Sequence, residues 1–146
     1  MSKQIAYLTC PYSHSNPNAS FEEEMRLKER RFRLANLAAG LLMEHGYVVF
    51  SPISHRHPIH IEYALPNTHE FWVEGQDLHI LKRCDILIFI RTEGWRASNG
   101  LKEEIEFAQA NGIGVFYVYE SDIRDMVLDV FKWIGEIKEM CNENCF

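Results

Sequence analysis

Residues 85–90, DILIFI, constrain the fold more than any other stretch of this chain. An apolar run without alternation reads as a strand covered on both faces, the signature of a central strand in a parallel sheet. Helical patterns precede and follow it, and the rest of the sequence repeats the alternation. QIAYLT (4–9), YVVFS (47–51) and GVFYVY (114–119) read as further strands. Residues 18–46 read as a long helix, with Asn18 or Ser20 as cap and Gly46 ending it. Residues 69–84 and 98–112 read as two more helices. Residues 121–140 read as a final amphipathic helix capped by Ser121 or Asp122. PISHRHPIHIEYALPNT (52–68) reads as a loop with several turn signals. Strands alternating with helices predict an α/β fold, a doubly wound parallel sheet with helices on both faces. No repeat or linker divides the chain, so residues 1–146 are expected to form a single domain.

Composition narrows the function classes. A chain of 146 residues, 47% hydrophobic and 25% charged, has enough apolar material for one globular core. Its net charge of −6 argues against a nucleic-acid partner held by phosphate neutralisation. No apolar run approaches the ~18 residues of a membrane span, and MSKQIAYLT lacks signal-peptide architecture, so a cytoplasmic location is expected. Cys10, Cys84, Cys141 and Cys145 form no CxxC pair and read as reduced thiols. His55, His57 and His60 in SHRHPIH match no helical HxxxH pair and have no ligand partner at a recognisable spacing, so no metal is expected. No cofactor is implied.

One carboxylate stands out. On a helical wheel at about 100° per residue, Leu101, Ile105 and Ala108 form one stripe, and Glu104 falls among them. Glu103 and Glu106 point away. Ligands of doubly wound sheets bind at the carboxyl ends of the strands, where strand order reverses. TCPYSH, SPISHRHPI and RTEGWRASNG lie at that edge, and Glu104 follows the third in the first turns of its helix. An inward carboxylate there faces a pocket. The ordinary alternative is a glutamate favouring the helix dipole.

IAYLTCPYSH, GYVVFSPISHRHPI, QDLHILKRCDILIFI and GWRASNGLKEEIEFA, in that order over residues 4 to 118, resemble the nucleoside 2-deoxyribosyltransferase-like superfamily. The resemblance is to its small branch with a SPISHSHPI-type loop, related to nucleoside 5'-monophosphate N-glycosidases. It implies a flavodoxin-like fold, usually a homodimer or larger, and cleavage of the N-glycosidic bond of a nucleoside or nucleotide. Some members transfer the sugar to another base; others hydrolyse 5'-monophosphates. It assigns Glu104 as nucleophile in the segment Ser98-x-Gly100-x-x-x-Glu104, Asp77 of GQDL as the acid that protonates the departing base or orients the nucleophile, and Tyr7 of AYLT as its neighbour. A carboxylate suits an oxocarbenium-like transition state, because it stabilises the charge and can capture C1'.

The same resemblance bears on substrate. Base-exchanging members carry an Asp six positions before the nucleophile to hold the sugar 5'-hydroxyl, whereas members acting on monophosphates carry Ser, as Ser98 does here. A hydroxyl and helix N-terminal amides accept a phosphate that an Asp would repel. Gly100 permits close backbone approach, and Asn99 is either a helix cap or a ligand contact. Arg31, opening an R-x-x-x-A-N-x-A-A run, is the expected phosphate cation. The loop after strand one carries Pro11 and Ser13 where the phosphate hydrolases have a Ser and an Arg; Ser13 and His14 still offer hydrogen bonds. His55 and His57 are expected to line the base pocket, and Trp95 and Phe71 are candidates for stacking on the base. Two other readings stay open: a deoxyribosyltransferase, and a non-catalytic nucleotide-binding protein.

Overall fold

The computed structural model describes residues 3–13, 16–123 and 138–139. Four parallel strands, β1 (Ile5–Thr9), β2 (Val48–Phe50), β3 (Ile86–Arg91) and β4 (Gly114–Tyr119), alternate with helices α1 (Phe21–Glu44), α2 (Pro52–Glu62), α3 (Leu78–Leu81) and α4 (Asn99–Ala110). A two-residue strand β5 (Lys138–Glu139) pairs antiparallel with β4 and completes the order β2-β1-β3-β4-β5. This is the flavodoxin-like order, and its reversal lies between β1 and β3. Tyr7 pairs with Phe50 on one side and Leu87 on the other, which fixes both neighbours of β1.

Residues 86–90 of the DILIFI run are buried on both sides, as the apolar pattern requires. Ile86, Ile88 and Ile90 pack with Leu34, Ala35, Ala38 and Leu42 of α1. Leu87 and Phe89 join Tyr7, Leu101, Ile105 and Ala108 on the opposite face, under α4. α1 starts on a capping box in which Ser20 accepts from the Glu23 backbone and Glu23 bonds the Ser20 N–H. Gly46, at φ 92°, lets the chain turn from α1 into β2.

Three expectations need correction. Residues 52–62 are helical, not loop: Ser51 caps α2 by accepting from the Ser54 N–H, and Pro52 occupies the first turn, where its missing N–H costs nothing. Pro58, inside the helix, is exposed; buried Ile53 and His57 hold the helix against this interruption. The segment before β3 is not one α-helix but a π-helical stretch, Glu70–Asp77, running into α3. The Leu78 N–H bonds the Val73 carbonyl, and a Cβ on Gly75 would sit 3.2 Å from the Glu70 carbonyl oxygen. This wide turn brings Trp72, Val73 and Asp77 to the buried side. Of the helix expected over 121–140, residues 120–123 are helical, while Lys138 and Glu139 engage the otherwise open edge of β4; residues 124–137 and 140 lie outside the described residues.

Candidate active site

At the carboxyl ends of β1 and β3 the chain encloses a cavity of about 330 Å³. α4 forms one wall. Ser98 caps this helix, its Oγ accepting from the Leu101 N–H at 3.2 Å. Ser98, Asn99, Gly100 and Glu104 all line the cavity. A Cβ on Gly100 would stand 3.6 Å from Val73 and 3.9 Å from His69, so the helix start packs closely under the π-helical turn.

Glu104 is buried at 5% exposure, on the stripe of Leu101, Ile105 and Ala108. Thr9, the last residue of β1, donates from Oγ1 to Glu104 Oε1 at 3.1 Å. Glu104 Oε2 and the Tyr7 hydroxyl are both buried without a hydrogen-bond partner. The two groups do not reach hydrogen-bond geometry, yet they lie close enough to shift each other's titration. Tyr7 is fully buried in the core under α4 and does not itself line the cavity; burial, then the charges of Glu104 and Asp77, push its phenol well above the ordinary range.

Asp77, at the end of the π-helical stretch, also lines the cavity and is 6% exposed. Burial pushes its carboxyl up to about 7, against the pull of Arg56. Burial and then the charge of Asp77 push Glu104 up to about 8, while Tyr7, Thr9 and Arg56 pull it down. Burial raises both carboxyls and the charge of Asp77 raises Glu104 further, which disfavours ionising both near neutrality. One acid and one carboxylate facing a common space is the arrangement used at glycosidic carbons.

Arg31 and Ser13 line the cavity as well. Arg31 Nη1 donates to the Ser13 carbonyl and Nη2 to the Glu93 carbonyl, both at 2.8 Å. The side chain thereby ties the loop after β1 to the loop after β3. Gly94, at φ 80°, passes over it, where a Cβ would meet Arg31 Nη2 at 3.5 Å.

The expected histidines are elsewhere. Because residues 52–62 are helical, Pro52, Ile53 and Arg56 share the face toward the cavity, and His55 and His57 do not. His57 is buried between α1 and the loop after β1: Nδ1 bonds the Tyr12 hydroxyl at 2.5 Å and Nε2 bonds Glu29 Oε2 at 2.9 Å. His55 is exposed beside Phe50 and lines a separate shallow groove. His14 lies outside the described residues. Trp95 packs on Phe89 and Phe71 on the edge of Trp72; neither lines the cavity.

Arg56, Thr9 and Tyr12 line the cavity and carry no mark in the linear pattern. Ser51 followed by Pro52 is the one local signal that could have revealed α2 and hence Arg56. At the rim, the ligand atoms of His69, Glu74 and Glu103 lie within 4.8 Å of one another, a donor set suited to a divalent cation. His69 and Glu103 are already hydrogen-bonded to each other. Among the described residues no helix is long and apolar enough to cross a membrane.

Comparison with curated proteins gives no match. Residues 4–120 match the model of a domain of unknown function, DUF1937, a span that covers the whole cavity, and the chain belongs to that family.

Proposed function

We propose that this chain is an N-glycosidase of the nucleoside 2-deoxyribosyltransferase-like superfamily, acting on a nucleoside or deoxynucleoside 5'-monophosphate. The observation that carries the reading is the buried pair Glu104 and Asp77 facing one cavity, with Glu104 Oε2 unpartnered. Leaving a buried acceptor unsatisfied costs on the order of 1–3 kcal/mol, and such a cost recurs where an atom is kept free for a ligand.

In the first step ionised Glu104 attacks C1', the C1'–N bond breaks, and its electron pair goes to the base nitrogen. Protonated Asp77 supplies the proton that the departing base takes up. In the second step water attacks C1', its proton passes to the Asp77 carboxylate, and the Glu104 ester bond breaks. The products are free base and sugar 5'-phosphate, with both side chains restored. Thr9 orients Glu104 through its hydrogen bond to Oε1, and Tyr7 lies near enough to favour the charged carboxylate. No step calls for a cofactor. Ser98, whose oxygen already accepts from Leu101, retains its hydroxyl proton for a phosphate oxygen.

A deoxyribosyltransferase would use the same intermediate with a second base in place of water. A purely binding protein has no use for two desolvated carboxylates in its cavity. The reading also includes a cytoplasmic homodimer, with exposed Leu37, Met43 and Val48 along α1 and β2 as apolar material for an interface.

The test is incubation with a panel of nucleosides and their 5'-monophosphates, followed by chromatography for free base, with Glu104→Gln as the control. Base release from monophosphates by the parent alone is expected. No release from any member of the panel overturns the catalytic reading, and release that requires an added acceptor base converts it to the transferase.

A further inference from the structure

We infer that Arg56, and not Arg31, is the cation that seats the anionic group of the ligand, a phosphomonoester, in this cavity. The inference rests on the nucleotide reading above. It begins from an electrostatic difficulty. A cavity lined by Asp77 and Glu104 repels an anion, so a phosphate enters only where an available cation offsets that field. Two guanidinium groups line the cavity, and they differ in what their donors already do. Both Nη atoms of Arg31 are engaged by backbone carbonyls, although its Nε, like that of Arg56, is buried without a partner, so the difference between the two lies in their Nη donors. Of the donors of Arg56, Nη2 alone forms a bond among the described residues, to Asn67 Oδ1 at 3.3 Å, and Nε is buried without a partner. No carboxylate among the described residues forms an ion pair with Arg56.

Arg56 is also held in place. Its guanidinium centre lies 4.6 Å from the centroid of the Tyr12 ring and 5.0 Å from that of Trp72. Aromatic contacts of this kind engage the faces of the cation and leave its N–H edge for a ligand. Tyr12 is itself fixed by the hydrogen bonds running through His57 to Glu29. A planar fork restrained in this way suits the bidentate recognition of phosphate oxygens. Burial lowers the guanidinium and the charges of Tyr12, Asp77 and Glu104 raise it, which puts its field on the same space as the two acids.

The test is equilibrium binding by calorimetry at fixed ionic strength. In a Glu104→Gln background, the probes are a nucleoside 5'-monophosphate and the matching nucleoside; in the otherwise unchanged chain, the probe is inorganic phosphate. Adding Arg56→Met is expected to weaken the monophosphate by about 30-fold or more and the nucleoside by less than about threefold. Arg56→Lys, which keeps the charge and loses the fork, falls between, and it carries the same comparison if the Met variant does not fold. Equal losses on both ligands, or none, overturn the inference, as does a selective loss produced by Arg31→Met instead. Failure of base release would sink the catalytic reading while leaving this comparison intact. If neither nucleoside nor monophosphate binds, the nucleotide reading fails, and phosphate binding that disappears in Arg56→Met still supports the seat; phosphate binding that is absent, or unchanged in the variant, overturns it.

Discussion

The two walls of the cavity are built by different physics. The α4 wall is regular: a capped helix leans its apolar stripe on β1 and β3, and Glu104 occupies one place in that stripe. The opposite wall, formed by α2 and the π-helical stretch, is irregular. There a guanidinium packed against two rings, a helix interrupted by Pro58 and a wide turn ending at Asp77 do the positioning. The first wall holds a carboxylate by burying it; the second holds a cation between aromatic rings and a side-chain hydrogen bond, and an acid by burying it at the end of a wide turn. Altering the first should therefore change chemistry at little cost in stability, and altering the second should change both.

Glu104→Gln is the sharpest way to break that contrast. If Glu104 is the nucleophile, as proposed, its removal should lower kcat/KM by at least about 10³-fold. The folded chain should lose no stability near neutral pH and gain it in alkali. Burial raises the Glu104 carboxyl from 4.5 to about 8, so the native state holds a proton that the unfolded chain has already lost between those values. The stability tied to that proton is fully present below about 4.5 and is lost as pH rises through about 8; the amide avoids the loss. Urea unfolding of both proteins at pH 9 reads the difference. A parent more stable than the variant there, or near-parental turnover in the variant, removes Glu104 from the centre of the site. Glu106→Ala serves as a nearly silent activity control.

Trp72→Leu probes the second wall. It deletes one of the two rings against Arg56 and opens a partial cavity at a residue only 3% exposed. A large-to-small change of this kind costs about 2–3 kcal/mol, reduced slightly because the Trp72 indole N–H is buried without a partner. The midpoint of urea unfolding should fall and ligand affinity should fall with it. A variant of parental stability and affinity would mean that the ring neither supports the wall nor orients Arg56.

The same contrast explains what could be read in advance. Glu104 was visible because an α-helix converts spacing into direction: a charge among Leu101, Ile105 and Ala108 has to point where they point. Residues 85–90 fixed the central strand for a similar reason. Arg56 was hidden because Pro, Ser and His in residues 51–60 carry turn signals, and the packing of Ile53 and His57 overrides them to make a helix. A loop over these residues directs His55 and His57 to the cavity; the helix turns Arg56, the residue between them, to it instead. Asp77 is assigned through resemblance alone, since a π-helical turn shifts the phase on which a helical wheel depends. Long-range pairs such as Tyr12 with His57 leave no periodicity at all.

The coupled carboxylates give a smaller, pH-dependent effect. In the proposed mechanism the reactive form carries one proton across the pair, with Glu104 ionised and Asp77 protonated. Burial lifts Asp77 to about 7 and Glu104 to about 8, an order that leaves the proton mainly on Glu104, so the reactive form is the minor tautomer of the singly protonated pair; kcat/KM should still be bell-shaped, with its maximum between those values. Outside the bell, activity should change about tenfold per pH unit on each side. Asp77→Asn should abolish the alkaline limb, because the proton whose loss it reports is then absent. A profile flat from pH 6 to 9 in the parent would mean that the two acids do not share the reaction.

Ser98→Asp should produce the mildest change and the most specific one. Ser98 caps α4, and Asp is as good a cap as Ser and favours the helix dipole, so the wall itself should be undisturbed. What changes is the charge that a phosphate meets. At about 4 Å and an effective dielectric of ~20 the repulsion is on the order of 4 kcal/mol per charge pair before relaxation and screening. A quarter of that is still several-fold in affinity. The new carboxylate can instead accept a hydrogen bond from a free 5'-hydroxyl, which offsets part of the loss for nucleosides. The quantity to measure is the ratio of kcat/KM for a monophosphate to that for its nucleoside, in variant and parent at one ionic strength. A fall of several-fold with unchanged thermal stability ties the α4 wall to the 5' group. If the ratio stays the same, Ser98 serves the helix alone, and the anion is recognised entirely from the other wall.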